Sequence, residues 1–147
     1  MQPVSAGYPG CMRGLISLAL VLAALGACTA GYAGTTATTA LRVTYWQDGS
    51  RPADRVTWTL RCGPPRGTLP RPAVACRRLE AGGVGLFTQI PADAVCTQIY
   101  GGPQKARVVG VVRGTRVWAT FQRRNGCEIS RWNRLAPWLL PPGGVTS

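Results

Sequence analysis

The stretch KARVVGVVRGTRVWATFQ, Lys105–Gln122, decides the fold. β-Branched and aromatic residues crowd both halves, and Arg113-Gly114-Thr115 interrupts them. Such residues favour a pleated, half-buried surface, and a short break containing glycine between two such runs reads as a hairpin. Two strands are therefore expected, Lys105–Val112 and Arg116–Gln122, with the valines, Trp118 and Phe121 at strand positions. Trp118 and Phe121 are expected in the core. The same pattern recurs upstream. Leu41, Val43 and Tyr45 alternate with Arg42, Thr44 and Trp46, the period of a strand with one buried face. Arg55–Cys62 alternates most clearly, with Val56, Trp58, Leu60 and Cys62 on one face and Thr57, Thr59 and Arg61 on the other. The first face sets Trp58 against a core and brings Cys62 to the strand's end. Asp48-Gly49-Ser50-Arg51-Pro52, between these two strands, is turn chemistry.

The connections follow from proline and glycine. Gly63–Pro72 is too rich in both to be anything but loop. Ala73–Ala81 reads as a short helix with Pro72 in its first turn, Val74, Cys76 and Leu79 near one face, and Gly82-Gly83 ending it. Leu86, Phe87 and Ile90 are expected in the core before Pro91 breaks local order. Asn125-Gly126 turns the chain into Cys127–Asn133, one or two helical turns. Residues 40–134 thus make one α+β domain of four or more strands and two short helices. A domain of about 95 residues buries a core without much surplus, so cross-links matter to it.

The flanks differ in kind. Arg13 precedes an apolar run, Leu15–Ala27, too short to cross a bilayer and suited to the core of a signal peptide. The expected leader is residues 1–27. Leu25-Gly26-Ala27-Cys28 fits a lipobox, in which Cys28 becomes a lipidated N-terminus attached to the outer face of the membrane. The alternative is ordinary cleavage after Ala30 or Ala33. Either route removes Cys11. Residues 28–39 are small and polar and read as a flexible linker. The tail, residues 135–147, is proline-rich and without periodicity, and is expected to be mostly disordered, with Trp138, Leu139 and Leu140 able to dock.

Composition limits the chemistry. Of six cysteines, Cys62, Cys76, Cys96 and Cys127 remain in the domain. Export favours disulfides, and four cysteines allow three pairings. There is no Cys-x-x-Cys and no histidine, so no metal site is expected. No cofactor is expected either. The absence of histidine and the scattering of Asp48, Asp54, Glu80, Asp93 and Glu128 argue against an enzyme. The net charge is +12, and sixteen of the seventeen basic residues are arginine. They are scattered rather than clustered, which reads as a soluble secreted surface and not as a nucleic-acid site. Arg123-Arg124 reads as solvated, and Cys96–Tyr100 taken alone as a strand end entering a turn.

Three blocks together say more: VTWTLRCGPPRGTLPRPAVAC (56–76), VCTQIYGGP (95–103) and VVGVVRGTRVWATFQRRNGCEISRW (108–132). In order and spacing, over about 75 residues, they resemble the Streptomyces-type subtilisin inhibitors, small secreted inhibitors of serine proteases. The resemblance implies the pairings Cys62–Cys76 and Cys96–Cys127. It also implies a five-stranded antiparallel sheet with two helices, and a homodimer formed through the sheet. Gln98 falls at the primary specificity position, with Gln98–Ile99 as the scissile bond. Val95, Cys96 and Thr97 precede it, Ile99 and Tyr100 follow, and Asn125 matches an asparagine that braces the loop from behind. Two positions depart from the family. Thr97 stands where proline is frequent, and Gln98 where methionine or a basic residue is usual. On this reading the partner is a subtilisin-like serine protease. The rival is a non-inhibitory cell-envelope binding module on the same fold.

Overall fold

The computed structural model describes residues 38–49 and 51–143. The expected leader, Cys28, most of the linker and residues 144–147 lie outside the described residues. In chain order the elements are β1 (Thr39–Trp46), β2 (Arg55–Cys62), α1 (Pro72–Gly82), β3 (Lys105–Val112), β4 (Thr115–Phe121) and α2 (Gly126–Leu135). Short 3₁₀ turns occupy Pro52–Asp54 and Gly83–Phe87.

The four strands form one antiparallel sheet in the order β2-β1-β3-β4. Alternation decides which side is buried. Leu41, Val43 and Tyr45 of β1 lie opposite Leu60, Trp58 and Val56 of β2. Val43 and Tyr45 also lie opposite Val108 and Ala106 of β3. Val117, Ala119 and Phe121 of β4 continue the same face, all buried. α1 covers this face with Ala75 and Leu79, and α2 with Trp132 and Leu135. Tyr45 sits between the rings of Trp58, at 5.9 Å, and Trp132, at 6.2 Å. On α1 Leu79 is buried as expected, but Ala75 is the other buried residue, while Val74 and Cys76 are half-buried.

The sheet has four strands rather than five. The outer edge of β2, one of the sheet's two edges, is occupied by the Gly63–Pro72 loop. That loop pairs Arg61 with Arg66 through two backbone bonds and returns Leu69 N–H to Thr59 O. Pro64, Pro65, Pro70 and Pro72 have no N–H to donate, so the contact cannot lengthen into a ladder. Residues 88–104 form no strand.

Two side chains lie on the opposite side from the one expected. Phe121 is buried and Trp58 half-buried, but Trp118 is 72% exposed. Trp118 has the opposite parity to Val117, Ala119 and Phe121, so the pleat turns it to the open face. Arg123, expected in solvent, is buried. Residues 136–140, expected largely without order, are packed. Trp138, Leu139 and Leu140 join the core, and Trp132 Nε1 donates to Pro141 O at 2.9 Å.

Candidate functional site

Residues 88–104 leave the core at Phe87 and re-enter the sheet at Lys105. Arg131 holds the near end. Its Nε donates to Thr88 O at 2.9 Å, and its guanidinium lies 4.6 Å from the Phe121 ring centre. Burial pushes the Arg131 guanidinium below its ordinary pKa, and the Glu128 carboxylate opposes that push. From there to Ala94 the arm stands away from α2, separated from it by an open cleft of about 490 Å³.

Contact resumes at Cys96. Cys96 and Cys127 form a disulfide, with Cα atoms 5.4 Å apart, which fastens the arm to the first turn of α2. One residue on, Thr97 O accepts from Gly126 N–H at 2.9 Å. A Cβ on Gly126 would collide with Thr97 Oγ1, so the absence of a side chain there lets the loop seat on the helix start. Asn125 fixes that start. Its side chain accepts from Glu128 N–H at 3.0 Å, an N-cap that orients the turn carrying Gly126 and Cys127.

The far side is held by Arg123. Its backbone carbonyl accepts from Gly101 N–H at 2.8 Å, and its Nε donates to Gly101 O at 2.9 Å. The guanidinium is in turn located by Asn133 Oδ1, at 3.3 Å, and by the Trp132 ring, at 5.8 Å. Arg123 is only 7% exposed. Gly101 also lies against Ile129, whose Cδ1 would be 2.8 Å from a Cβ at that position.

Thr97 and Gly101 therefore have their backbones fixed to the scaffold, and Gln98-Ile99-Tyr100 is suspended between them. Their side chains face out. Val95 is 99% exposed, Ile99 59% and Tyr100 66%. The Gln98 side chain is exposed and folds back, with Nε2 donating to Cys96 O at 3.1 Å. Exposed apolar side chains on a backbone held at both flanks are what a hydrolase cleft can grip as an extended strand.

A family model described as subtilisin inhibitor-like matches residues 35–125. The chain belongs to the subtilisin inhibitor-like family. Among solved structures it is similar to Streptomyces caespitosus sermetstatin, crystallised in complex with Bacillus licheniformis subtilisin. The two are 28% identical; the match covers 70% of this chain and 97% of that one, with a TM-score of 0.47. No curated protein matches the chain. The match to the subtilisin inhibitor-like model stops at Asn125, just before the residues that fasten the loop to α2.

Both disulfides implied by the resemblance are formed, Cys62–Cys76 and Cys96–Cys127. Among the described residues no group of histidine, cysteine and carboxylate side chains is placed to hold a metal ion. No described helix is long and apolar enough to cross a membrane. Sequence reasoning missed Arg123, Gly126 and Ile129 as parts of the site. Arg123 carried a usable signal: it has the same parity as Val117, Ala119 and Phe121, so it continues their inward face one step past the strand.

Proposed function

We propose that the chain is a secreted inhibitor of subtilisin-like serine endopeptidases. It acts by offering Gln98–Ile99 as a substrate-like bond that is attacked but not released. The carrying observation is the suspended segment: backbone fixed at Thr97 and Gly101, side chains of Ile99 and Tyr100 in solvent. A free peptide loses much of its binding energy to ordering, and a loop already held extended does not. The protease serine attacks the Gln98 carbonyl, and the oxyanion hole stabilises the tetrahedral intermediate. The Ile99 amine that leaves stays in place because Gly101 is bonded to Arg123. The Cys96 bridge also spans the cut, so both new ends belong to one covalent molecule. Re-formation of the bond then competes with escape.

The bait residue orders the targets. Trypsin-like pockets place a carboxylate against a cation, and uncharged Gln98 supplies none. A broad, largely apolar subtilisin-type cleft accepts a medium-sized polar chain, with Val95 adding an apolar contact. On binding, the Gln98 side chain must leave Cys96 O, which frees that carbonyl to pair with the protease backbone. Asn125 supports the loop through α2, by fixing the turn from which Gly126 and Cys127 reach it. Cys28 is the proposed lipid attachment point if the lipobox is used.

Titration of active subtilisin with the purified protein tests this. Activity should fall linearly to near zero at one inhibitor per enzyme, and trypsin should be affected weakly. Gln98→Lys should add trypsin inhibition. Unaltered activity across several serine proteases assigns the chain instead to a binding module on the same fold.

A further inference from the structure

The tail meets the group that holds the reactive segment. It lies beyond Asn125, where the family match ends, and it is pinned at successive points. Arg71 Nη2 donates to Pro137 O at 2.6 Å, Trp138 Nε1 to Arg134 O at 3.0 Å, and Trp132 Nε1 to Pro141 O at 2.9 Å. Two residues further on, Gly143 lies directly against the Arg123 guanidinium, and a Cβ there would overlap Nη1 and Cζ. Only a residue without a side chain lets the backbone pass so close. The same guanidinium gives Nε to Gly101 O and Nη1 to Asn133 Oδ1, and it lies 5.8 Å from the Trp132 ring centre. A Cβ on Gly101 would stand 3.2 Å from its Nη2. One charged group is thus closed in by the reactive loop, α2 and the tail, and it is buried.

Core packing accounts for the tail only as far as Leu140. Trp138, Leu139 and Leu140 fill the core. The next three residues add no buried apolar side chain: Pro141 is half-buried, Pro142 is exposed, and Gly143 has none to bury. What they meet is polar, the Trp132 Nε1 donor and the Arg123 guanidinium. The bond from Arg123 to Gly101 O is charge-assisted, and such a bond holds best where water does not compete for its partners. We propose that Pro141–Gly143 is a working part of the loop support. It closes over Arg123, keeps water from the guanidinium, and so holds Gly101 and the leaving side of the Gln98–Ile99 bond. Gly143 is then a positioning residue that acts through Arg123. This rests on the inhibitory reading for its consequence, though not for its geometry.

The test is a double-mutant cycle in the full protein, with Gly143→Ala and a deletion of residues 141–147 each made alone and together with Arg123→Gln. The Cβ of Gly143→Ala forces either the guanidinium aside or the tail off it, and both uncover Arg123. The deletion uncovers it too, but also strips the Trp132 Nε1 donor of its acceptor and so costs stability. Gly143→Ala leaves that bond in place and separates the two effects. Each change alone should weaken inhibition of subtilisin by about fivefold and speed hydrolysis of Gln98–Ile99 in the complex. Hydrogen exchange at the Gly101 amide should quicken by about threefold or more. Combined with Arg123→Gln, either change should add less than about twofold, because the side chain it acts through is gone. Unchanged exchange at Gly101 in both single variants overturns the proposal, as do losses of inhibition that multiply in full with that of Arg123→Gln. A parent that fails to inhibit, with exchange at Gly101 still responding to Gly143→Ala, overturns the inhibitory reading and supports the tail's hold on the loop.

Discussion

The two disulfides do different work, although each joins an extended segment to a helix. Cys62–Cys76 ties β2 to α1, and both elements are already held. Leu60 is in the core beside Ala75 and Leu79, and β2 is laddered to β1 along its whole length. Cys96–Cys127 ties α2 to an arm with no ladder at all, whose side chains from Pro91 to Ala94 are exposed. In the chain-entropy model, loops of these sizes contribute comparable stability, about 3–4 kcal/mol each. The difference lies in what else does the same job. Around the first bridge packing is redundant with the cross-link. Around the second, the cross-link and a few backbone bonds are nearly all there is. Stability and function are therefore expected to separate between two bonds of the same chemistry.

Removing the second bridge should have the largest effect. Cys96→Ser/Cys127→Ser frees the flank on the non-leaving side, returns the ordering cost to binding, and lets the cut ends part. Inhibition of subtilisin should weaken by about 100-fold or more, and the protein should be turned over as a substrate. Inhibition constants and gel electrophoresis of long incubations check both.

Arg123→Gln comes next. It leaves the backbone bonds to Gly101 but removes a buried, charge-assisted donor, worth about 1.5–3 kcal/mol where fully desolvated. Inhibition should weaken by about tenfold, with faster cleavage of the complex, because the leaving amine is less firmly held. Thermal unfolding should show a smaller loss than inhibition does. An equal loss in both would make Arg123 part of the core and not of the loop's support.

Cys62→Ser/Cys76→Ser should change inhibition least, within about threefold, while lowering stability by about 3 kcal/mol. Denaturant unfolding measures the second quantity. A variant that unfolds earlier yet inhibits equally well would sharpen the contrast between the bridges. One that loses inhibition while still folded would break it.

Much of this was legible in the residues. Period two placed β1, β2 and the β3–β4 hairpin, and proline and glycine bounded α1. The bait segment was found through its neighbours at 56–76 and 108–132, since Cys96–Tyr100 alone reads as a turn. What escaped was set by parity and by long-range packing. Size and apolarity point Trp118 to the core, although one step from Val117 puts it outside. Charge points Arg123 to solvent, although two steps from Phe121 puts it inside, where Trp132 and Asn133 receive it. The docked tail depends on Trp132 meeting Pro141, which no local pattern announces. Five of the sixteen arginines, Arg42, Arg55, Arg61, Arg107 and Arg116, are spread along the chain and are gathered by the pleat onto the open face of the sheet. The fifth strand is implied by family likeness alone; the described residues form four strands, with the Gly63–Pro72 loop along the outer edge of β2.

The central claim is that one peptide bond, Gln98–Ile99, is held for attack and kept from separating. Mass spectrometry after prolonged incubation with a trace of subtilisin measures this directly, before and after reduction of the disulfides. The expected result is a mixture of intact protein and a species one water heavier, which reduction splits at Gln98–Ile99 and nowhere else. First cleavage at another bond between Thr88 and Gln104, or digestion of the whole domain without such a species, would contradict it.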